Sequence, residues 1–160
     1  MVQLSAGILL WRRRPNGIEV LLAHFGGPFW AGRDAGAWAI PKGLVDPDES
    51  AEAAARREFA EETGTRIEGA LHPLGCIRQT GGKRVETFAA EGDLDPATIV
   101  SNRVTMEWPP RSGNMISFPE IDRAAWFTLA EARARILPSQ SAILDLFETA
   151  WARDQPSGDC

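Results

Sequence analysis

The hydrophobic pattern of the chain starts with two apolar runs separated by a turn. QLSAGILLWRR (3–13) and IEVLLAHF (18–25) have strand composition, and RPNG (14–17) supplies turn chemistry, so a β-hairpin is expected. GGPFWAGRDAGAW (26–38) mixes glycine with aromatics and reads as a long loop, and AIPKG (39–43) as a short extended piece ending in a turn. SAEAAARREFAEETG (50–64) is the clearest helix: Ser50 is placed to cap it, alanines fill its middle and Gly64 fits its stop. ALHPLGCIRQTGGKRVETFAAEG (70–92) reads as two strands around TGGK (80–83). Residues 93–114 are expected to be irregular, and Pro109 and Pro110 keep EWPPRSGN (107–114) from being helical.

RAAWF (123–127) reads as a strand, and TLAEARARIL (128–137) opens with Thr128 and Glu131 in capping-box spacing. After Pro138, SQSAILDLFETAWARD (139–154) places Ile143, Leu144, Phe147, Ala150 and Trp151 at helical intervals. Strands, a helix, more strands and more helices predict an α+β fold, a compact αβα sandwich. The expected organisation is a single domain over 1–153 with a frayed tail over 154–160.

Composition narrows the class without naming a chemistry. The 160 residues are 44% hydrophobic and 24% charged, ordinary for a globular chain, and no apolar run is long enough to span a bilayer. Seventeen basic and 22 acidic residues give −5, which argues against attraction to a polymeric nucleic acid. Cys76 and Cys160 make no disulfide framework and no zinc set, so a cytoplasmic setting is expected. His24 and His72 are read as incidental to any chemistry. No Gly-rich phosphate loop of the P-loop or dinucleotide type is present.

REFAEETG (57–64) changes the picture. Glu58, Glu61 and Glu62 lie at i, i+3 and i+4 of the helix, where like charges cost roughly 0.2–0.5 kcal/mol per close pair. Projected on a helical wheel, Glu62 stands about 40° to one side of Glu58 and Glu61 about 60° to the other. Ala51, Ala54 and Ala55 share that sector, and Phe59 turns away from it. Small residues beside three carboxylates leave room for a polar guest. A hard divalent cation wants such oxygen ligands, and Mg²⁺ bridges carboxylates to phosphate oxygens. The alternative is an ordinary solvated acidic face, against which the alanines and the absence of lysines at i+4 both count.

Gly43-x5-Glu49-x7-Arg57-Glu58-Phe59-x-Glu61-Glu62-x-Gly64 resembles the signature box of the Nudix (MutT-like) hydrolases. Thr65, where that family prefers an aliphatic residue, is the one departure. WAIPKG (38–43) resembles the family's lead-in, and IDRAAWFTLAEA (121–132), with Trp126, its strand-then-helix ending. The resemblance covers about residues 3–150 and implies the family's αβα sandwich around a mixed sheet. It implies a Mg²⁺- or Mn²⁺-dependent pyrophosphohydrolase for a nucleoside diphosphate-linked substrate. Glu58, Glu62 and Glu61 would be metal ligands, with the Gly43 carbonyl completing the shell and Arg57 and Glu49 orienting the carboxylates. A further glutamate from a distant loop would serve as ligand or general base, with Glu120 the first choice and Glu107 the second.

Lys42, Lys83 and Arg84 stand beside turns and are candidates for phosphate contacts. Trp30 and Trp108 are candidates for stacking on a base, with Phe29 and Trp38 as further aromatics, Trp38 reading more as core. Nucleoside triphosphates and dinucleoside polyphosphates are the expected substrates, although the lack of tyrosine weakens the second. A non-catalytic nucleotide-binding module is the alternative, and isoprenoid diphosphate isomerisation finds no cysteine in a catalytic setting. A monomer or homodimer is expected.

Overall fold

The computed structural model describes residues 3–154. The expected hairpin is present: β1 (Leu4–Arg14) pairs antiparallel with β2 (Gly17–Phe25), Arg14 opposite Gly17. The two strands stay together only as far as Trp11 and Val20. Beyond that point they part, and residues 38–44 fill the wedge. β3 (Trp38–Ala39) adds to β2, and β4 (Lys42–Leu44) adds to β1 with Gly43 opposite Ala6. The single extended piece expected at 39–43 is therefore two short strands on different neighbours. Pro41, which has no N–H to give a ladder, sits at the crossing and accepts from Ile8 N at 3.2 Å.

On the other edge of β1 lies β6 (Arg84–Glu91), parallel to it, followed outward by antiparallel β5 (His72–Arg78). β9 (Ile121–Thr128) covers the free edge of β2. One parallel pair among antiparallel ones makes the sheet mixed, as expected. α1 (Ala51–Thr63) packs on one face, and α2 (Leu129–Arg135) and α3 (Ser141–Asp154) on the other. Ala6, Ile8, Leu10 and Leu21 face Ala54, Ala55 and Phe59 of α1. Leu9, Val20 and Leu22 face Ala132 of α2 and Ile143, Leu144 and Phe147 of α3. Burial on both faces explains why AGILL and VLLA are continuous apolar runs instead of alternating ones.

Ser50 caps α1 by accepting from Ala53 N, and Gly64 closes it in the left-handed conformation at φ 78°. Thr128 caps α2 by accepting from Glu131 N at 3.2 Å. The frayed tail expected from 154 lies, with Cys160, outside the described residues except for Asp154, which ends α3. No helix among the described residues is long and apolar enough to cross a membrane.

Two expectations fail. Residues 93–114 are not all irregular: β7 (Arg103–Glu107) pairs with β8 (Met115–Pro119) in a separate hairpin, and only its turn matches the expected loop. In the polar stretch RVTME only Val104 is partly covered, and by residues distant in sequence, so its own pattern is weak. His24 is not incidental. Its ring is completely buried on β2, with Nδ1 2.8 Å from Asp122 Oδ1 and Nε2 2.7 Å from the Arg33 carbonyl. It pins the 26–37 loop to β2 and β9.

Phe59 anchors α1 with no exposed surface. Truncation to Ala is expected to cost about 3–5 kcal/mol, read as a lower urea midpoint at unchanged slope.

Candidate active site

The alanines of α1 do something other than expected. Ala54 and Ala55 are fully buried against the sheet, so their small size lets the helix axis come close to β1. This turns the carboxylate sector inward, toward β4, instead of leaving it open to a guest. Glu62 is 4% exposed, whereas the Glu61 side chain stays 45% exposed at the rim. The solvated-face alternative holds for Glu61 alone.

Each carboxylate has a different holder. Glu62 Oε2 accepts the backbone N–H of Lys42 at 3.0 Å. Glu58 Oε1 accepts from Arg57 Nη1 at 2.7 Å, and Glu61 Oε1 from the same nitrogen at 3.2 Å. Arg57 and Glu61 are thus an i,i+4 ion pair that reading forward for lysines overlooked. The other side of the guanidinium grips Glu49 through two bonds, Nη2 to Oε1 at 2.6 Å and Nε to Oε2 at 3.2 Å, and reaches the Leu44 carbonyl at 2.9 Å. Glu49 also accepts from Asp46 N at 3.0 Å, which ties the turn before α1 into the network. The hydrogen bond to Arg57 holds the Glu49 carboxyl below its ordinary range.

Gly43 lies against the Glu58 carboxylate so closely that a Cβ there would collide with it. The backbone of β4 is thereby brought beside the acids. Glu120, in the link between β8 and β9, completes the group. With the Asn102 amide oriented to satisfy both neighbours, its nitrogen donates to the Glu61 carbonyl and to Glu120 Oε2, each at 3.2 Å. Asn102 also bonds both segments through its backbone, N to Glu61 O at 2.8 Å and O from Glu120 N at 2.9 Å.

Desolvation above all raises the proton affinity of Glu62, and the charges of Glu120 and Glu58 raise it further, to a pKa of about 9. Burial likewise raises Glu58, against the opposing bond from Arg57. Proximity of anions in a dry place is unfavourable unless positive charge is supplied. Arg57 supplies one charge from one side. A hard divalent cation suits the oxygen donors of Glu58, Glu62, Glu120 and the Gly43 carbonyl. Among the described residues no three acidic, imidazole or thiol groups already converge on one point. Glu58 and Glu61 turn toward Arg57, and Glu62 toward the Lys42 N–H.

The remaining candidates scatter. Lys42 borders Glu62, and its charge acts on that carboxylate. Lys83 and Arg84 lie at the start of β6, across β1 from β4, and are not brought to the acids. Trp30 packs on Phe25 with ring centres 4.7 Å apart, in the loop that leads away from β2 toward Glu120. Trp108 stands at the turn of the β7–β8 hairpin, where its N donates to Asn114 O. Glu107 accepts from Arg111 N at 2.6 Å and serves that turn. Trp38 is core, with its indole N–H on Asp34 at 2.9 Å. Asn102 had no sequence signal, because nothing in SNRV marks it as the bracket between Glu61 and Glu120.

A family model described as NUDIX domain matches residues 1–147. A curated relative named RNA pyrophosphohydrolase, from Caulobacter vibrioides, is 47% identical over 58 residues, 33% of this chain and 33% of that protein. The match spans only about a third of that relative's length. Among solved structures, a C. elegans Ap4A hydrolase binary complex superposes with TM-score 0.63 at 24% identity, covering 95% of this chain and 99% of that one. The NUDIX domain of Shewanella oneidensis NrtR, complexed with ADP ribose, gives 0.63 at 20% identity, covering 97% and 90%. At these identities the likeness is one of fold.

Near pH 4 without divalent ions, where folded and unfolded chains both hold the proton, Glu62→Gln is expected to change unfolding free energy by less than about 1 kcal/mol, since Gln mimics the protonated acid and keeps the Lys42 N–H bond, and above that pH the variant should become the more stable of the two. The sign with pH follows from the raised value: the folded state holds the proton more tightly than the unfolded chain. Wild-type stability in chelator should therefore fall as pH climbs from about 5 to 9. Denaturant melts of the two proteins from about pH 4 through that range check both points, and the variant should lose most of the slope.

Proposed function

The chain belongs to the Nudix family, and on that premise we propose that it is a divalent-metal-dependent pyrophosphohydrolase of nucleoside diphosphate-linked compounds. The observation that carries this reading is the buried Glu62 carboxylate within reach of the charges of Glu58 and Glu120, with the Gly43 backbone lying on Glu58. An enzyme is favoured over a binding module because every charged position of the box is present. Mg²⁺ or Mn²⁺ held by Glu58 and Glu62, with Glu61, Glu120 and the Gly43 carbonyl in reach, would neutralise phosphate oxygens and lower the pKa of an attacking water.

The chain's own residues then divide the work. Arg57, clamped by Glu49, holds Glu58 in place and fixes the turn that carries Gly43. Asn102 positions Glu120 through Oε2, leaving Oε1 to take the proton of the water as its oxygen bonds to phosphorus. The anhydride P–O bond breaks in the same displacement, and two phosphate-bearing products leave. Lys42 is placed to attract the phosphates of the substrate. Lys83, Arg84 and Trp108 sit further off and would contribute only through a long substrate. A cytoplasmic location and a monomer or homodimer belong to the same reading.

Nucleoside triphosphates, dinucleoside polyphosphates, ADP-ribose and 5′-triphosphorylated RNA, each incubated with Mg²⁺, Mn²⁺ or chelator, test it by product identification. Cleavage of an anhydride should appear only with metal. Glu62→Gln should lose at least about 100-fold in turnover while staying folded. Full activity in a folded Glu62→Gln protein would remove the mechanism, and tight nucleotide binding without any product would favour the binding module.

The clamp makes a separate prediction. Arg57→Ala should lower turnover by roughly 10–100-fold and raise the metal concentration needed for half-maximal rate, with Arg57→Lys recovering little because lysine cannot span Glu49 and Glu58 together.

A further inference from the structure

Glu120 belongs to two places at once. One is the carboxylate group, and the other is the lining of an apolar cleft of about 450 Å³. One wall is the loop after β2, where Phe29 is 50% exposed and stands edge-on to Trp30 at 5.0 Å. The other wall is the β7–β8 hairpin. Val104 lies opposite Phe118 and Met106 opposite Ile116, so these side chains share a face, and Met106 is 39% exposed. The walls meet at Gly26, whose N–H donates to the Glu120 carbonyl at 2.8 Å and whose Cβ position is filled by the Pro119 carbonyl. A side chain there would push the loop off the hairpin.

We propose that this cleft receives the base of the substrate, stacked on Phe29 and flanked by Met106 and Phe118, and that it selects for flat aromatic area without reading the base edge. The inference rests on the nucleotide substrate proposed above. A cleft of this size, mostly apolar with one polar group in its lining, is the usual form of a small-molecule site, within the range of about 300–1,000 Å³. Its position decides the occupant. Glu120 lines the cleft and its charge acts on both Glu58 and Glu62, so a base held between the walls would carry its phosphates toward those carboxylates.

Among the described residues Glu120 is the only charged one on the walls, and it is committed to Asn102 through Oε2. The chain has no tyrosine to offer a phenol to the base. Arg33 covers one side of Phe29, 4.3 Å from the ring centre, and extends the stacked surface. Stacking is tolerant of base identity because every base has a π face, and it grows with ring area. Adenine and guanine should therefore serve alike, and single-ring bases less well.

Calorimetry in Mg²⁺ with methylene-bridged analogues of the four nucleoside triphosphates, and with inorganic tripolyphosphate, tests this. The two purine analogues should bind within about 3-fold of each other and roughly 10-fold more tightly than the pyrimidines. Phe29→Ala should weaken the purines by about 5- to 150-fold and leave tripolyphosphate within about 2-fold. Met106→Ala should act in the same direction more weakly. Both residues are half-exposed, so truncation leaves the fold intact. Unchanged purine binding in Phe29→Ala, or an equal loss for tripolyphosphate, overturns the assignment. If the purine preference and its loss are found but wild type releases no product, the cleft stands and the hydrolase reading falls. If product forms yet neither variant separates purine from tripolyphosphate, the hydrolase stands and the cleft falls.

Discussion

Three carboxylates kept close together in a poorly hydrated place repel one another, and the surrounding structure is arranged to hold them there regardless. Glu62 sits almost out of contact with water between α1 and β4, where its only close hydrogen bond is a backbone N–H. Left alone such a group keeps its proton, as burial and the neighbouring Glu58 and Glu120 dictate. A protein that needed only stability would replace it with an apolar residue. The acid is retained at a cost in folding free energy, which is the mark of a site where charge is wanted during function. Arg57 makes the arrangement tolerable by binding Glu58, Glu61 and Glu49 together.

The sheet's divided centre is what lets this happen. Because β1 and β2 separate beyond Trp11 and Val20, the 38–44 segment enters between them and brings Gly43 onto β1 beside α1. The alanines then bring the helix close enough for Glu58 to lie on Gly43 without a side chain in the way. On the other side, the β2 extension leads into a loop that His24 fastens through the Arg33 carbonyl. Loop, hairpin and carboxylates therefore share a single frame, with Glu120 as the common point. The proposed metal-assisted anhydride cleavage and the proposed stacking cleft for a base both draw on this frame. The C. elegans and Shewanella oneidensis structures share the fold at 24% and 20% identity.

Much of this was legible in the chain. The β1–β2 hairpin, the caps of α1 and α2, the mixed α+β order and the acidic box follow from local signals: turn residues, capping residues and the spacing of apolar and acidic positions. Asn102 and the β7–β8 hairpin were not legible, because RVTME and MISFP become half-covered strands only against each other and against the 26–30 loop. The alanines were misread for a related reason. A helical wheel ranks residues by direction but cannot say which direction is the interior, and here the sheet lies on the side that held both alanines and acids. His24 passed unnoticed because its partners, Asp122 and the Arg33 carbonyl, reach it through folding.

Local sequence determined which side chains carry charge and at what helical spacing, since those properties depend on neighbours a few residues away. Whether Glu62 is wet or dry, whether Glu120 or Glu107 stands beside it, and that an aromatic loop faces a distant hairpin were settled by tertiary structure alone. Each of these depends on water being excluded by segments many residues apart, and the excluded water is what turns an ordinary carboxylate into one that holds its proton or takes a cation.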